Sequence, residues 1–418
     1  MAQNRSDDTA ASSSGAAPAR VRIDGIDAAR ALAVFGMFVV HLGVDSMGVL
    51  SPDDYAWDLH DITRGNSSAL FAFLAGISLA MMTGRTRPVA GDELRRSTVR
   101  ILARSVLIGL LGLLLDMTGV PVAVILAYYA GFFVLALPLL RLRSGALWAV
   151  AGGLAVLGPP LSLLLRGTVF PAEPRTSSLT SLTEFFLTGY YPAVTFMAFM
   201  AAGMAVGRLD LTSTAVRLRL LAAGAGAAAF GYAGSWLVLG PLGGTERLMD
   251  LRSRETLGVP LARIEDPALV EELRFAVNDE AHSISGQVPT DSWWWLGINA
   301  PHTGTTFEIA EAVGQSLMVL VVCIWLCERF RRTMYPLTSV GRMPLTVYAG
   351  HILVLAVVIA FQGYDYHTPW LLEGFLLGSL VFAVLWRATV GRGPAESVLG
   401  EAAGAAVTLV EERRRRNG

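Results

Sequence analysis

The chain has 418 residues, 53% of them hydrophobic and 16% charged, with a mean hydropathy of +0.51. That balance excludes an ordinary soluble domain, and a formal net charge of −1 gives no case for nucleic-acid binding. All 33 basic residues are Arg, and the two cysteines, Cys323 and Cys327, are too few for a disulfide framework or a zinc site.

Residues 1–20 are small and polar and lack the apolar centre of a signal peptide. They are expected to form a disordered cytoplasmic tail. Ten apolar runs follow, at 26–46, 67–84, 100–118, 120–140, 144–165, 184–207, 218–240, 307–328, 337–361 and 370–388. Each approaches or exceeds the ~18 residues that mark a membrane helix. Pro336 and Pro344 interrupt the start of the ninth. The predicted fold is all-α: a polytopic integral membrane protein of about ten transmembrane helices. The membrane domain covers 21–400, and a basic cytoplasmic tail covers 401–418.

Arginine sets the expected orientation. Basic residues cluster before the first run and after the second, fourth, sixth, eighth and tenth. With ten alternating spans these clusters share one side. Both termini are therefore expected to be cytoplasmic, in a plasma membrane, and the composition suggests a bacterial, GC-rich genome. The opposite side carries the acidic segment 45–66 and one long loop, 241–306. Within that loop, Asp266 and Pro267 form an N-cap and first-turn pair. Leu269, Leu273 and Ala276 then recur at helical spacing, which predicts a short amphipathic helix. Trp293, Trp294 and Trp295 are expected at the membrane–water interface.

The first run, "IDAARALAVFGMFVVHLG", places ionisable groups where hydrocarbon makes them expensive. At about 100° per residue, Arg30 and His41 lie on one face and are about 16 Å apart along the axis. Asp27 is one turn below Arg30. Two readings are open: a helix-end salt bridge with a packed histidine, or a functional polar stripe.

Other polar groups follow the same logic. His60 lies in the acidic outer segment between Asp58 and Asp61, with Arg64 nearby. Arg96, Arg100 and Arg104 repeat every four residues at the inner end of the third span, where they can hold phosphate or simply follow the positive-inside rule. Glu308, Glu311 and Gln315 form a stripe at the outer end of the eighth span, preceded by His302. Tyr348 and His351 share a face of the ninth and can line a pore or make interhelical hydrogen bonds. The sequence has no phosphate-binding GxxxxGK[ST] run, no HExxH and no CxxC.

Arg30 followed by ten residues and His41 resembles the R-x(10)-H signature of acyltransferase family 3. "SSALFAFLAGISLAMM" is similar to the second span of the heparan-α-glucosaminide N-acetyltransferase family. "GRMPLTVYAGHILVL" and "GRGPAESVLGEAAG" resemble the later half of the domain-of-unknown-function 418 family. These resemblances imply a transmembrane acyltransferase that uses acyl-coenzyme A, with acetyl-coenzyme A as the expected co-substrate and no metal. The acceptor would be a saccharide or lipid-linked hydroxyl or amine on the outer side. On that reading His41 is the general base, Asp27 fixes Arg30, and Arg30, Arg96, Arg100 and Arg104 hold the donor phosphates. Arg64, His302, Glu308, Glu311, Tyr348 and His351 line the pore or the acceptor site. The heparan enzyme has Asn at the position of His41 and its histidine in the loop before the second span, which points to His60 as the second candidate. The competing class is a non-enzymatic transporter or flippase, because the same polar groups can line a transport path.

Overall fold

The computed structural model describes residues 22–48, 55–171, 179 and 181–417. The expected tail at 1–20 lies outside the described residues. Those residues form fifteen α-helices and no strand. In chain order they are α1 (Asp24–Leu42), α2 (Tyr55–Thr63), α3 (Asn66–Met82), α4 (Gly91–Asp116), α5 (Leu126–Leu135), α6 (Ser144–Thr168), α7 (Ala193–Gly207), α8 (Thr214–Leu239), α9 (Gly244–Leu257), α10 (Pro267–Ser283), α11 (Thr306–Arg329), α12 (Tyr335–Gly341), α13 (Pro344–Gln362), α14 (Leu371–Thr389) and α15 (Pro394–Asn417).

Eight stretches are long and apolar enough to cross a membrane: Asp58–Met82, which joins α2 to α3, and helices α1, α4, α6, α8, α11, α13 and α14. The other two expected spans fall on shorter apolar helices, α5 and α7, of 10 and 15 residues. At 1.5 Å per residue these reach only about 15 and 22 Å, short of a ~30 Å hydrocarbon core. Helix α7 starts late because Pro192, its N-cap, is itself extended, with φ −63° and ψ 129°. Helix α5 ends early because Pro138 leads into a 3₁₀ turn at Leu137–Arg141. The expected ninth span is also two pieces. Pro336 and Pro344 each open a helix of their own, α12 and α13.

Burial sorts the helices into an inner and an outer set. Helices α1, α3, α7 and α11 carry long buried faces, and α7 is buried along almost its whole length. Helices α4, α6, α8, α13 and α14 turn much of their apolar surface outward, as Val106, Leu157, Trp236, Val357 and Leu385 show. An outward apolar rim is what a lipid environment requires. The inner helices approach closely through small residues. A Cβ on Gly203 of α7 would come within 1.8 Å of the Phe73 carbonyl oxygen on α3, and one on Gly76 within 2.1 Å of the Met200 carbonyl oxygen.

Several arginines hold helix ends. Arg208, 4% exposed at the end of α7, donates to the carbonyl oxygens of Ala80, Thr83, Arg85 and Leu140. These carbonyls lie at the end of α3, in the turn that follows it, and in the turn after α5, where helix ends leave acceptor capacity over. The basic C-terminal segment is helical. Arg96 on α4 pairs with Glu411 on α15, and Arg414 pairs with Asp92.

The loop 241–306 folds into a small cap at the C-terminal end of α1. Asp266 caps α10 by accepting from the Ala268 N–H at 2.9 Å, as expected. The buried stripe of α10 is Leu273, Val277 and Ala281; Ala276 is exposed. Helix α9 had no clear signal in the sequence, because its few apolar residues are separated by charges. The three tryptophans do not act alike. Trp295 is fully buried in the cap, donating to Asp291 at 2.7 Å with the Arg252 guanidinium 5.5 Å over its ring. Only Trp293 is largely exposed.

The tightest helix contact gives a test. A Cβ on Gly341 would fall 1.6 Å from the Asp27 carbonyl oxygen, whereas one on Gly350 would meet nothing within 4 Å. Gly341→Ala is expected to lower the thermal unfolding midpoint in detergent, by an amount equivalent to about 1–3 kcal/mol. Gly350→Ala is expected to leave it unchanged or raise it. Equal midpoints for the two variants would contradict this packing of α12 on α1.

Candidate functional site

At its N-terminal end α1 holds a charge cluster. Asp27, 2% exposed, accepts from Arg22 Nε and from an Arg30 Nη, each at 2.8 Å. Arg342, from α12, reaches the same carboxylate at 3.7 Å and Asp24 at 3.1 Å. The second Arg30 amine donates to Ser78 on α3 at 2.7 Å. Asp27 is therefore an anchor for guanidinium groups, about four turns of helix away from His41, and has no contact with that histidine's surroundings.

Arg30 lines a pocket of about 240 Å³ between α1, α3, α4, α5, α13 and α15. The walls are apolar, with Phe71, Leu79, Ile108 and Phe133 among them. The polar groups are Arg30, Ser78, Arg104, Tyr129 and Glu396. Of the three arginines expected beside Arg30, only Arg104 reaches this wall. Arg96 is bound to Glu411, and Arg100 is exposed on α4. Glu396 was not singled out in the sequence. Its carboxylate accepts from the N–H groups of Leu345 and Thr346 and so caps α13.

At the other end of α1, His41 Nδ1 lies 2.9 Å from His351 Nε2, and the two rings stack at 5.2 Å. One of these nitrogens donates and the other accepts. His351 is 3% exposed. Tyr348 stands edge-on to His351 at 5.0 Å. Its hydroxyl accepts from the Ile125 N–H at 3.3 Å, and its side chain is fully buried. Tyr348 is thus a wall support; it lines neither of the cavities described here.

His41 borders a second cavity of about 200 Å³. Arg64, Tyr190, Tyr191, Ser285 and His302 complete its polar lining. His302 has a left-handed φ of 61°, rare for a residue with a Cβ. A hydrogen bond from Gly286 N–H to its carbonyl oxygen at 2.7 Å holds it there. Backbone strain of this kind gathers at functional sites. His60 stands on α2 beside Asp61, at 3.6 Å, and is not part of the His41 cavity wall.

Glu308 and Glu311 sit in a neighbouring cavity, also of about 200 Å³, with Tyr232, Asn299 and Gln315. Glu308 accepts from the Gly304 N–H at 3.2 Å, and Glu311 accepts from the Tyr232 hydroxyl at 2.6 Å. Arg64 belongs to both walls and connects the two cavities. Tyr129 and Tyr191 escaped the sequence reading. Two adjacent tyrosines in the apolar run "LAYYAGFF" were the available signal for Tyr129.

Two cavities thus lie toward opposite ends of α1. An aromatic layer of Phe71, Tyr129 and Tyr348 stands between the arginine pocket and the histidine pair. Among the described residues no group of three or more His, Cys, Asp or Glu is placed to hold a metal ion.

Burial pushes the His302 imidazole down to about 4, and the Arg64 guanidinium acts in the same direction. An unfolded chain takes up this proton near pH 6.5, the folded one only near 4. Protonation therefore favours unfolding as pH falls through that window. The thermal midpoint is expected to drop from pH 6.5 to 4, and His302→Gln to reduce that drop. An unchanged pH profile in the variant would contradict a buried, neutral His302.

The family model described as heparan-alpha-glucosaminide N-acetyltransferase, catalytic, matches residues 22–236. A second model, of a protein family of unknown function (DUF418), matches residues 285–404. No curated protein matches the chain. The first match contains α1 to α7 and most of α8; the second contains α11 to α14, most of the cap's last segment and the start of α15. The His41–His351 contact joins the two matched regions.

Proposed function

The chain belongs to the heparan-alpha-glucosaminide N-acetyltransferase catalytic family, and from that membership we propose a transmembrane acyl transfer. The donor is acyl-coenzyme A, with acetyl as the acyl group. The acceptor is a hydroxyl or amine on a saccharide or a lipid-linked saccharide. The arginine-rich end of α1 faces the cytoplasm, in keeping with the distribution of arginine along the chain, and the capped end faces out of the cell.

One observation carries this reading. His41 borders the cavity under the cap while its Nδ1 engages His351. With Nδ1–H donated to His351, the other nitrogen of His41 carries a free lone pair, as a general base requires. The acceptor proton passes to that nitrogen. The acceptor oxygen or nitrogen attacks the thioester carbon, and the carbon–sulfur bond breaks. The coenzyme A thiolate takes the proton back, and the dyad returns to its starting state.

The donor end follows from the same helix. Arg30 is held by Asp27 and Ser78, and with Arg104 it supplies two cationic groups at an apolar pocket. Guanidinium pairs suit phosphate, and an apolar pocket suits the pantetheine arm and acyl group. The rise of about 16 Å from Arg30 to His41 is comparable to the length of an extended phosphopantetheine arm. Arg64, His302, Glu308 and Glu311 then surround the acceptor.

The test uses purified protein in detergent with radiolabelled acetyl-coenzyme A. Wild type is expected to bind the donor and to release free thiol slowly without an acceptor. His41→Ala is expected to lower thioester cleavage by about 10²-fold while donor affinity stays within twofold. Arg30→Ala is expected to weaken donor binding about tenfold, as the loss of one charge-assisted hydrogen bond would. If His60→Ala abolishes cleavage and His41→Ala does not, the base lies on α2. If wild type neither binds nor cleaves the donor, the acyltransferase reading gives way to a transport one.

A further inference from the structure

The aromatic layer between the two cavities contains one polar atom without a partner. Tyr129 on α5 is 2% exposed, and its hydroxyl makes no hydrogen bond within the protein. Two neighbouring buried tyrosines do have partners. Tyr128 Oη accepts from the Tyr190 N–H at 3.1 Å, and Tyr348 Oη accepts from the Ile125 N–H at 3.3 Å. A hydroxyl buried without a partner destabilises the fold relative to a C–H of the same shape. Phenylalanine would fill this space and avoid that penalty, so packing alone does not account for tyrosine.

Its location offers an account. The Tyr129 side chain forms part of the wall of the Arg30 and Arg104 pocket. Its ring packs against Phe71 at 5.3 Å, Phe71 stacks on Tyr348 at 6.5 Å, and Tyr348 meets His351 at 5.0 Å. A thioester carbon coming from the arginine pocket must cross this layer to meet an acceptor at His41. Tyr129 is the member of the layer that both lines the arginine pocket and carries a hydroxyl with no partner in the protein.

We propose that Tyr129 is a catalytic residue whose O–H donates a hydrogen bond to the thioester carbonyl oxygen during transfer. The inference rests on the acyl-transfer reading above. When the acceptor attacks the carbonyl carbon, the C=O π pair moves onto oxygen, and Tyr129 O–H hydrogen-bonds that oxyanion. The pair returns as the carbon–sulfur bond breaks. The thiolate receives the proton that the acceptor gave to His41, and Tyr129 ends as it began. A donor placed where charge develops accelerates the step without tightening ground-state binding.

Full-length Tyr129→Phe separates this role from a structural one, with acetyl-coenzyme A as the probe. Three quantities are read: thermal midpoint, donor affinity by calorimetry and single-turnover thiol release. The expected result is a midpoint unchanged or raised, affinity within about twofold, and release slowed by about 10²–10³-fold, the range for loss of one oxyanion donor. Release within about threefold of wild type overturns the assignment. So does a lowered midpoint, which would mean that the hydroxyl has a structural partner, or a loss of affinity with cleavage unchanged. A wild type that neither binds nor cleaves acetyl-coenzyme A overturns the acyl-transfer reading itself, and this assignment with it.

Discussion

The carboxylate of Asp27 is the interaction on which the rest of the bundle depends. It is almost fully buried and takes guanidinium hydrogen bonds from Arg22 and Arg30 at 2.8 Å, with Arg342 at 3.7 Å. Removing this one carboxylate would leave three guanidinium groups facing one another without their shared counter-charge. The cluster ties α1 to α12 by charge and to α3 through Arg30 and Ser78. Gly341 allows α12 to sit directly on the Asp27 backbone. Arg30 is thereby held at the wall of the apolar pocket, its amines committed to Asp27 and Ser78. The geometry of the proposed donor end is in this sense a consequence of one buried acid.

Because α1 is a continuous helix from Asp24 to Leu42, fixing Arg30 also fixes His41 in height and direction. His351 then decides how His41 presents itself. It reaches across from α13 to Nδ1, and Phe38 packs against its ring at 4.6 Å. Helix α13 is in turn held at its start by Glu396 of α15. Three segments far apart in sequence therefore converge on one imidazole. An isolated ionisable group in a membrane interior would be expensive. Here each has a partner or borders a cavity, which is the condition for keeping it.

The sequence was informative where the physics is local. Asp27, Arg30 and His41 share one helix, so their common face follows from helical periodicity alone. Asp266 and Pro267 announced the start of α10 through capping chemistry. Pro336 and Pro344 marked the breaks around α12, although the expectation there was one interrupted span and the structure has two helices. The unreadable parts are tertiary. His41 and His351 are 310 residues apart, and nothing in either neighbourhood names the other. Arg96, Arg100 and Arg104 look alike as an i, i+4 series on α4. Only packing distinguishes the one that enters the pocket from the one that docks α15 and the one that faces outward. Trp295 reads as an interface anchor until the cap closes over it.

The two volumes also constrain how transfer can proceed. The arginine pocket and the histidine cavity share no lining residue, and the aromatic layer between them is tightly packed. A donor in the first and an acceptor in the second cannot react across rings in van der Waals contact, since bond formation needs the reacting atoms about 3–3.5 Å apart. Either the thioester displaces part of the layer, or the layer opens when the donor binds. Phe71 has no polar atom to offer at that crossing, and Tyr348 lines neither cavity. The layer that separates the two cavities is, on the proposed reading, also the place where the acyl group changes hands. An uncommitted donor there has a use that the resting packing does not show.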